Sequence, residues 1–260
     1  MKYFLLAWVF VANTSIAQTV VHPRAHAHND YEHARPLKDA LQNGFLSVEA
    51  DVHLKNGKLL VGHNKVTETS PSLEHLYLKP LDSLLTAHKG FVYPSSKATF
   101  FLMIDIKTNG DTAYSFLKKL VDRYPKLKCA SDGCAVSIFL SGNRPVETIL
   151  KEGYQGMALD GRPENLGQHV STQLMPVISD TYYNWSRWNG KQPPAANDLA
   201  RIRELATSVH AEGKKLRLWA TPDNEIAWRA LLDAGVDLIN TDRLKELNEF
   251  LKEHEGNFRK

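Results

Sequence analysis

The feature that most constrains this chain is an alternation. Short β-rich apolar runs recur near residues 24–28, 46–53, 59–62, 99–106, 135–140, 156–159, 174–179, 216–219 and 238–240. Amphipathic stretches of helical period follow them near 36–42, 73–88, 112–123, 145–152, 197–212, 225–233 and 244–253. Gly44, Gly153, Gly213 and Gly235 each sit just past a helical stretch, where a left-handed terminal residue is wanted. Strands alternating with helices imply a mainly parallel sheet. About eight such strands in roughly 240 residues suit a closed (β/α)8 TIM barrel, an α/β fold of one domain, better than an open doubly wound sheet. No Gly-rich dinucleotide fingerprint follows the first strand.

The opening "MKYFLLAWVFVANTSIAQ" has Lys2, an apolar run and a small-x-small Ser15-Ile16-Ala17 ending. It reads as a signal peptide over residues 1–17, leaving 18–260 as the barrel domain and placing the mature chain as secreted or periplasmic. A membrane anchor is the competing reading, but the run falls short of the ~20 residues a span needs. No later segment is long and apolar enough to cross a membrane. A net charge of +3 is too small to call for nucleic acid, and is compatible with a small anionic substrate. Cys129 and Cys134 flank Asp132-Gly133 turn chemistry and suit a loop-closing disulfide over two free thiols. The longest irregular segments are 91–98 and 180–196; the second is rich in aromatics and prolines, a lid over a site or a surface connection.

Chemistry on a barrel gathers at the C-terminal strand ends. There the sequence places "AHAHND", then Glu49 and Asp51, then His63, then Asp105 and Lys107, and finally "INTD". Glu49 and Asp51 are two apart and share a strand face, as do Asp105 and Lys107. Inside a barrel, like charges on one face must be neutralised. Glu49, Asp51 and Asp105 together are the oxygen ligand set of a hard divalent cation. The plainer alternative is a structural network pairing Glu49 and Asp51 with Lys107 or Arg24. His28 and His63 stand on either side of the carboxylates and can divide general base and general acid work near neutral pH. His26 shares a face with His28. The remaining histidines are read as surface or packing residues.

The order His28-Asn29, Glu49-x-Asp51, His63, Asp105-x-Lys107 resembles the phospholipase C-like phosphodiesterase superfamily, which includes glycerophosphodiester phosphodiesterases and phosphatidylinositol-specific phospholipases C. "AHAHNDYEHARPLKDALQNGFLSVEADVHLKNGKLLVGHN" looks like that group's N-terminal block, and "RLWATPDNEIAWRALLDAGVDLINTDRL" like its last two strand-helix units. The resemblance implies a metal-dependent hydrolase of a glycerophosphodiester- or phosphoinositide-like substrate, soluble or lipid. It implies His28 and His63 as the acid/base pair, with Glu49, Asp51, Asp105 and Asn29 on a Ca2+ or Mg2+ ion. Asn29 departs from the Arg-Gly that usually follows the first histidine in the glycerophosphodiesterase branch, and Asp105 stands where many relatives have Glu.

Lys107 can face the phosphate or serve as a counter-charge to Glu49 or Asp51. Trp219 resembles a position that lines the family's pocket, or is a packed tryptophan. Arg162 and Asp160, with Asn143 and Arg144, are further substrate-binding candidates or surface pairs. Asp242 is expected to cap a helix. Two other readings compete. A metal-dependent amidohydrolase is motivated by His26-x-His28, and a noncatalytic barrel that binds a phosphorylated or carbohydrate ligand belongs to a different class.

Overall fold

The computed structural model describes residues 19–128 and 133–257. The expected leader over 1–17 lies outside the described residues. In chain order the elements are β1 (His22–Ala27), α1 (Lys38–Gln42), β2 (Phe45–Lys55), β3 (Lys58–Val61), α2 (Lys79–Ala87), β4 (Phe100–Ile106), α3 (Gly110–Val121) and β5 (Val136–Gly142). They continue with α4 (Val146–Glu152), β6 (Ala158–Gly161), β7 (Val177–Thr181), α5 (Ala200–Ala211), β8 (Lys215–Trp219), α6 (Glu225–Asp233), β9 (Leu238–Thr241) and α7 (Leu244–Asn257). A π-helical turn, Glu74–Leu78, leads into α2, and a 3-10 turn, Pro163–Asn165, stands where a helix between β6 and β7 would be.

The strands run β1-β9-β8-β7-β6-β5-β4-β2, and a β1–β2 pairing closes the ring. Every pairing in the ring is parallel. The fold is therefore the (β/α)8 barrel expected from the alternation.

The ninth strand is the departure that matters for function. β3 is not a barrel stave; it pairs antiparallel with the far end of β2, with Val52 opposite Val61. Asn56 (φ 48°) and Gly57 (φ 74°) make the turn, both left-handed, as a two-residue hairpin requires. β2 thus runs on past Asp51, turns and comes back. Gly62 N then donates to Asp51 O at 3.1 Å, which brings the next residue, His63, level with Asp51. The Asn-Gly pair carried this signal in the sequence.

Two packed regions hold the barrel. The larger lies between strands and helices and includes Leu102, Ile104, Leu140, Tyr77, Leu117 and Trp228, all buried. The smaller fills the barrel interior with Phe101, Met103, Phe139, Ala158, Val177 and Leu238. Burying such side chains fully stabilises by about 1.5–3 kcal/mol each. The interior apolar plug stops short of the C-terminal strand ends, where the same inward-facing positions become Asp51, Asp105, Ser141 and Asp160.

A register irregularity between His22 and His26 changes which residues of β1 face inward. His22 bonds Asn248 of α7 at 2.9 Å, and Arg24 donates to the carbonyls of Leu232 and Val236, on the outer side. Arg24 is therefore no counter-charge for Glu49 or Asp51. Cys134 is disulfide-bonded; Cys129 lies outside the described residues. Segment 180–196 closes on its own start: Asp180 accepts from Trp185 Nε1 at 2.8 Å and from Asn184 Nδ2 at 3.1 Å. No helix among the described residues is long and apolar enough to cross a membrane.

Candidate functional site

Asp51 and Asp105 are opposite one another on neighbouring strands, and Glu49 lies one inward position below. One carboxylate oxygen from each of Glu49, Asp51 and Asp105 lies within 4.8 Å of the others. Asp51 divides its two oxygens. Its Oδ2 accepts from His63 Nδ1 at 2.9 Å, from Tyr31 OH at 2.9 Å and lies 3.1 Å from Lys107 Nζ. Its Oδ1 is buried and has no hydrogen-bond partner among the described residues, as is true of Asp105 Oδ1, although the latter lies 3.2 Å from Lys107 Nζ. A buried carboxylate oxygen left without a donor is costly unless a cation takes it. The donor set is all oxygen, so the residues fit Mg2+ or Ca2+.

The charge balance agrees. Arg217 cancels Glu49, and Lys107 offsets one of Asp51 and Asp105, so one negative charge remains. A divalent ion would leave one positive charge, the complement of a phosphodiester anion. Burial and the neighbouring carboxylates raise the pKa of Asp105 despite Lys107.

The two histidines are held alike. His28 Nδ1 bonds Asp242 Oδ1 at 2.9 Å, and His63 Nδ1 bonds Asp51 Oδ2 at 2.9 Å. A carboxylate only accepts, so each Nδ1 carries the proton and each Nε2 is free to exchange one. Asp242 is thus a partner of His28, not the helix cap its position suggests. Thr241 Oγ1 accepts from Arg243 N at 2.8 Å in the turn that precedes α7. Asp242 is fixed in turn by Asp223, whose Oδ2 accepts from Asp242 N at 3.1 Å.

Three participants escaped the sequence reading. Arg217 on β8 donates to Glu49 at 2.8 Å and to Asn240 Oδ1 at 3.1 Å, all three being buried. Burial alone would raise the Glu49 pKa, but the Arg217 charge, the His26 bond and the charges of His26 and His28 together outweigh it and hold the carboxyl at about 2. Arg217 shares the inward face with Trp219, two residues on, and that parity was the available signal. Tyr31 OH lies 2.9 Å from both Asn29 Oδ1 and Asp51 Oδ2 and 3.4 Å from His63 Nδ1. It lies in a single 3-10 turn, Asp30–Glu32, too short for any periodicity to mark it. Gly142 is the third: a Cβ there would overlap Asp105 Oδ1 and crowd Ile106 O, and its φ is +64°. Gly142→Ala should therefore displace the Asp105 carboxylate and cost about 1–3 kcal/mol through the left-handed backbone alone. Urea denaturation measures it, and a variant as stable as the parent would show that the strand end yields freely.

His26 does not join the mouth. It is buried between Ser47 Oγ (2.7 Å) and Glu49 Oε2 (3.4 Å), and burial with the Arg217 charge lowers its pKa to about 4, so it is neutral. Asn29 adopts a left-handed conformation (φ 46°) and turns its amide oxygen to Tyr31. Lys107 bridges Asp51 and Asp105. Arg162 leaves the end of β6 and pairs with the buried Asp160 at 2.9 Å. Trp219 ends β8 and is 41% exposed, so it is not a packed tryptophan. A cavity of about 740 Å3 beside β3 and α3 includes none of these residues.

Comparison with known proteins gives a consistent picture. A family model described as the AIM6-like phosphodiesterase domain matches residues 14–129, and one described as the glycerophosphoryl diester phosphodiesterase family matches 215–245. An "altered inheritance of mitochondria protein 6 homolog" of Arthroderma benhamiae is 28% identical over 88% of this chain and 84% of its own length. The protein 6 of that name from Eremothecium gossypii is 29% identical over 87% of this chain and 69% of its own. That of Saccharomyces cerevisiae is 26% identical over 84% and 68%. The crystal structure of a glycerophosphodiester phosphodiesterase from Agrobacterium tumefaciens superposes with a TM-score of 0.50 at 14% identity, covering 90% of this chain and all of that one. These relatives overturn the secreted or periplasmic placement. They are named for the inheritance of mitochondria, an organelle inside the cell.

Proposed function

We propose that this chain, which belongs to the phospholipase C-like phosphodiesterase superfamily, hydrolyses a glycerophosphodiester- or phosphoinositide-like phosphodiester. The observation that carries the reading is the pairing of two imidazoles, each with Nδ1 on a carboxylate and Nε2 free, with an all-oxygen acidic cluster. Glu49, Asp51 and Asp105, with Asn29 beside them, would hold Mg2+ or Ca2+, which when bound neutralises charge on a non-bridging phosphate oxygen. The rest is work for this chain's own groups. One Nε2 removes a proton from the attacking hydroxyl, and the other returns one to the leaving alkoxide. Lys107 adds a second positive charge beside the phosphate. Asp51 couples the two tasks, since one of its oxygens orients His63 and the other is free for the ion.

The amidohydrolase alternative loses its motive, because His26 is occupied by Ser47 and Glu49 and cannot share a ligand with His28. The test is turnover of bis(p-nitrophenyl) phosphate and of glycerophosphodiesters, with phosphorus NMR to detect any cyclic product. Activity should vanish with EDTA and return with Mg2+ or Ca2+. No turnover of any diester with metal supplied would leave a noncatalytic binder.

The His28–Asp242 pair gives a pH expectation. Burial would lower the His28 pKa, but the Asp242 bond and the charges of Glu49 and Asp242 outweigh it and raise it. The same bond lowers the pKa of Asp242. The raised imidazole favours the folded state below its ordinary pKa of about 6.5, a gain lost as pH rises through the folded value. The lowered carboxyl contributes above about 3.8, a gain lost as pH falls. In the metal-free chain, proton NMR should find His28 titrating above its ordinary value, and Asp242→Asn should bring it down. An unchanged His28 titration in that variant would show the bond to be idle.

A further inference from the structure

We propose that Asp30 is a positioning residue for the reaction: turned away from the barrel mouth, it anchors the turn that carries Tyr31, and through Tyr31 it sets the Asp51 oxygen that orients His63. This rests on the phosphodiesterase reading.

Asp30 sits among residues of the mouth without facing it. Before it, His28 bonds Asp242; after it, Tyr31 OH lies 2.9 Å from both Asn29 Oδ1 and Asp51 Oδ2. The Asp30 side chain is fully buried, and its Oδ2 accepts from Leu37 N at 2.6 Å and from Tyr77 OH at 2.9 Å. Its Oδ1 is buried without a hydrogen bond among the described residues. A buried carboxyl with one oxygen unserved is costly to a fold, so its place here needs a reason.

The two partners of Asp30 belong to different elements. Leu37 opens α1, and Tyr77 lies in the π-helical turn before α2; both side chains are in the core. Leu37 holds φ 62° and ψ −46°, an outlier for a bulky side chain. Such a backbone persists only where its surroundings over-determine it. Here the Asp30 carboxyl clamps the Leu37 N–H while the core holds the Leu37 side chain. Residues 29–32 have few other ties. Apart from bonds within the turn, the described hydrogen bonds that join them to the rest of the chain are those of the Asp30 carboxyl and the Tyr31 hydroxyl. The first fastens the turn to the core, and the second meets the site.

Tyr31 is what the anchor delivers. Its hydroxyl has one hydrogen for two acceptors, and the charged Asp51 is the stronger of them. Asp51 Oδ2 then takes Tyr31 OH and His63 Nδ1, each at 2.9 Å, and faces Lys107 Nζ at 3.1 Å. Three donors around one oxygen fix its place, and that place sets the His63 ring. Without Asp30 the turn is free to lift, and the hydroxyl leaves Asp51. A misplacement of about 1 Å at a reacting centre costs about 10²-fold in rate.

The test measures kcat and KM on an accepted diester in the parent, Asp30→Ala, Asp30→Asn, Tyr77→Phe and Tyr31→Phe, with folding checked by thermal melting. Tyr77→Phe keeps the buried ring and deletes one of the two bonds to Asp30, and it stands in for Asp30→Ala if that chain does not fold. Asp30→Ala should lower kcat and kcat/KM alike, by about 10–10²-fold, and Tyr77→Phe by less. Asp30→Asn should recover most of the loss, because an amide oxygen still accepts from Leu37 N and Tyr77 OH. Once Tyr31→Phe is present, removing the anchor should cost little more, since both changes act on the same Asp51 oxygen. Nitrogen NMR of the metal-free protein reads the His63 tautomer without turnover. The parent should carry the proton on Nδ1, and Asp30→Ala and Tyr31→Phe should both shift the population toward Nε2. A tautomer shift with no diester hydrolysed by any of these proteins upholds the anchor and removes the catalytic reading. An anchor variant as fast as the parent, a loss of the same size with and without Tyr31→Phe, or, where nothing is hydrolysed, an unmoved His63 tautomer, overturns it.

Discussion

Replacing His63 with alanine should lower kcat on any accepted diester by about 10²–10⁴-fold, the usual contribution of one positioned acid or base. In barrier terms that is about 3–5 kcal/mol, at 1.36 kcal/mol per tenfold. The fold should not suffer. His63 lies on the hairpin return beyond β3 with half of its side chain exposed, and its bond to Asp51 is one of three on that oxygen. Ion binding should survive too, because Asp51 Oδ1, Glu49 and Asp105 remain. Three readings are needed together: kcat, thermal melting, and calorimetric titration with Mg2+ and Ca2+. A drop in kcat with the other two intact assigns proton transfer to His63. A variant that turns over like the parent removes that role, and with it the paired-imidazole mechanism.

The second large effect concerns the barrel itself. Arg217→Met keeps most of the side-chain volume and deletes the charge that faces Glu49. Both partners are almost wholly buried, with side chains 3% and 5% exposed. Removing one member of such a pair leaves an uncompensated charge and costs about 3–5 kcal/mol. The sign of its pH dependence follows from Glu49. Its pKa near 2 lies below the unfolded value of 4.5, so its contribution is present above 4.5 and lost as pH falls through about 2. Without Arg217 the buried carboxyl rises instead. The deficit should therefore be largest near neutrality and shrink once the solution is acidic enough to protonate Glu49. Denaturant unfolding at neutral and at acidic pH reads this directly, and adding Glu49→Gln to the variant should recover part of the loss. A variant within about 1 kcal/mol of the parent at neutral pH would show that water reaches Glu49 and that the pair carries little.

That pair also explains why Glu49 differs from the other two acids. Arg217 and His26 hold it from below, so it would meet an ion as an anchored, already neutralised ligand. Among the described residues, Asp51 and Asp105 each keep a buried oxygen without a hydrogen bond, that of Asp105 lying near the Lys107 ammonium. An assignment of equal weight to all three, natural from the sequence pattern, misses this division of labour. His26 shows the same lesson from the other side. Its spacing from His28 suggests a shared role, but one residue points into the packed interior and the other to the mouth.

The sequence by itself determined the barrel, because repeated β-then-helix periodicity is local and each unit prints its own pattern. It also determined the Glu49–Asp51 and Asp105–Lys107 faces, since a strand's period of two is fixed by its backbone. Only the tertiary structure decided which distant groups answer those charges. Arg217 meets Glu49 across the ring, and Asp242 meets His28 where the first and last strands lie side by side. The hairpin that delivers His63 was written in Asn56-Gly57, but the level at which it delivers it depends on pairing with β2. Local periodicity says which way a side chain points; closing the sheet decides what it meets there, and electrostatic pairing depends on that meeting.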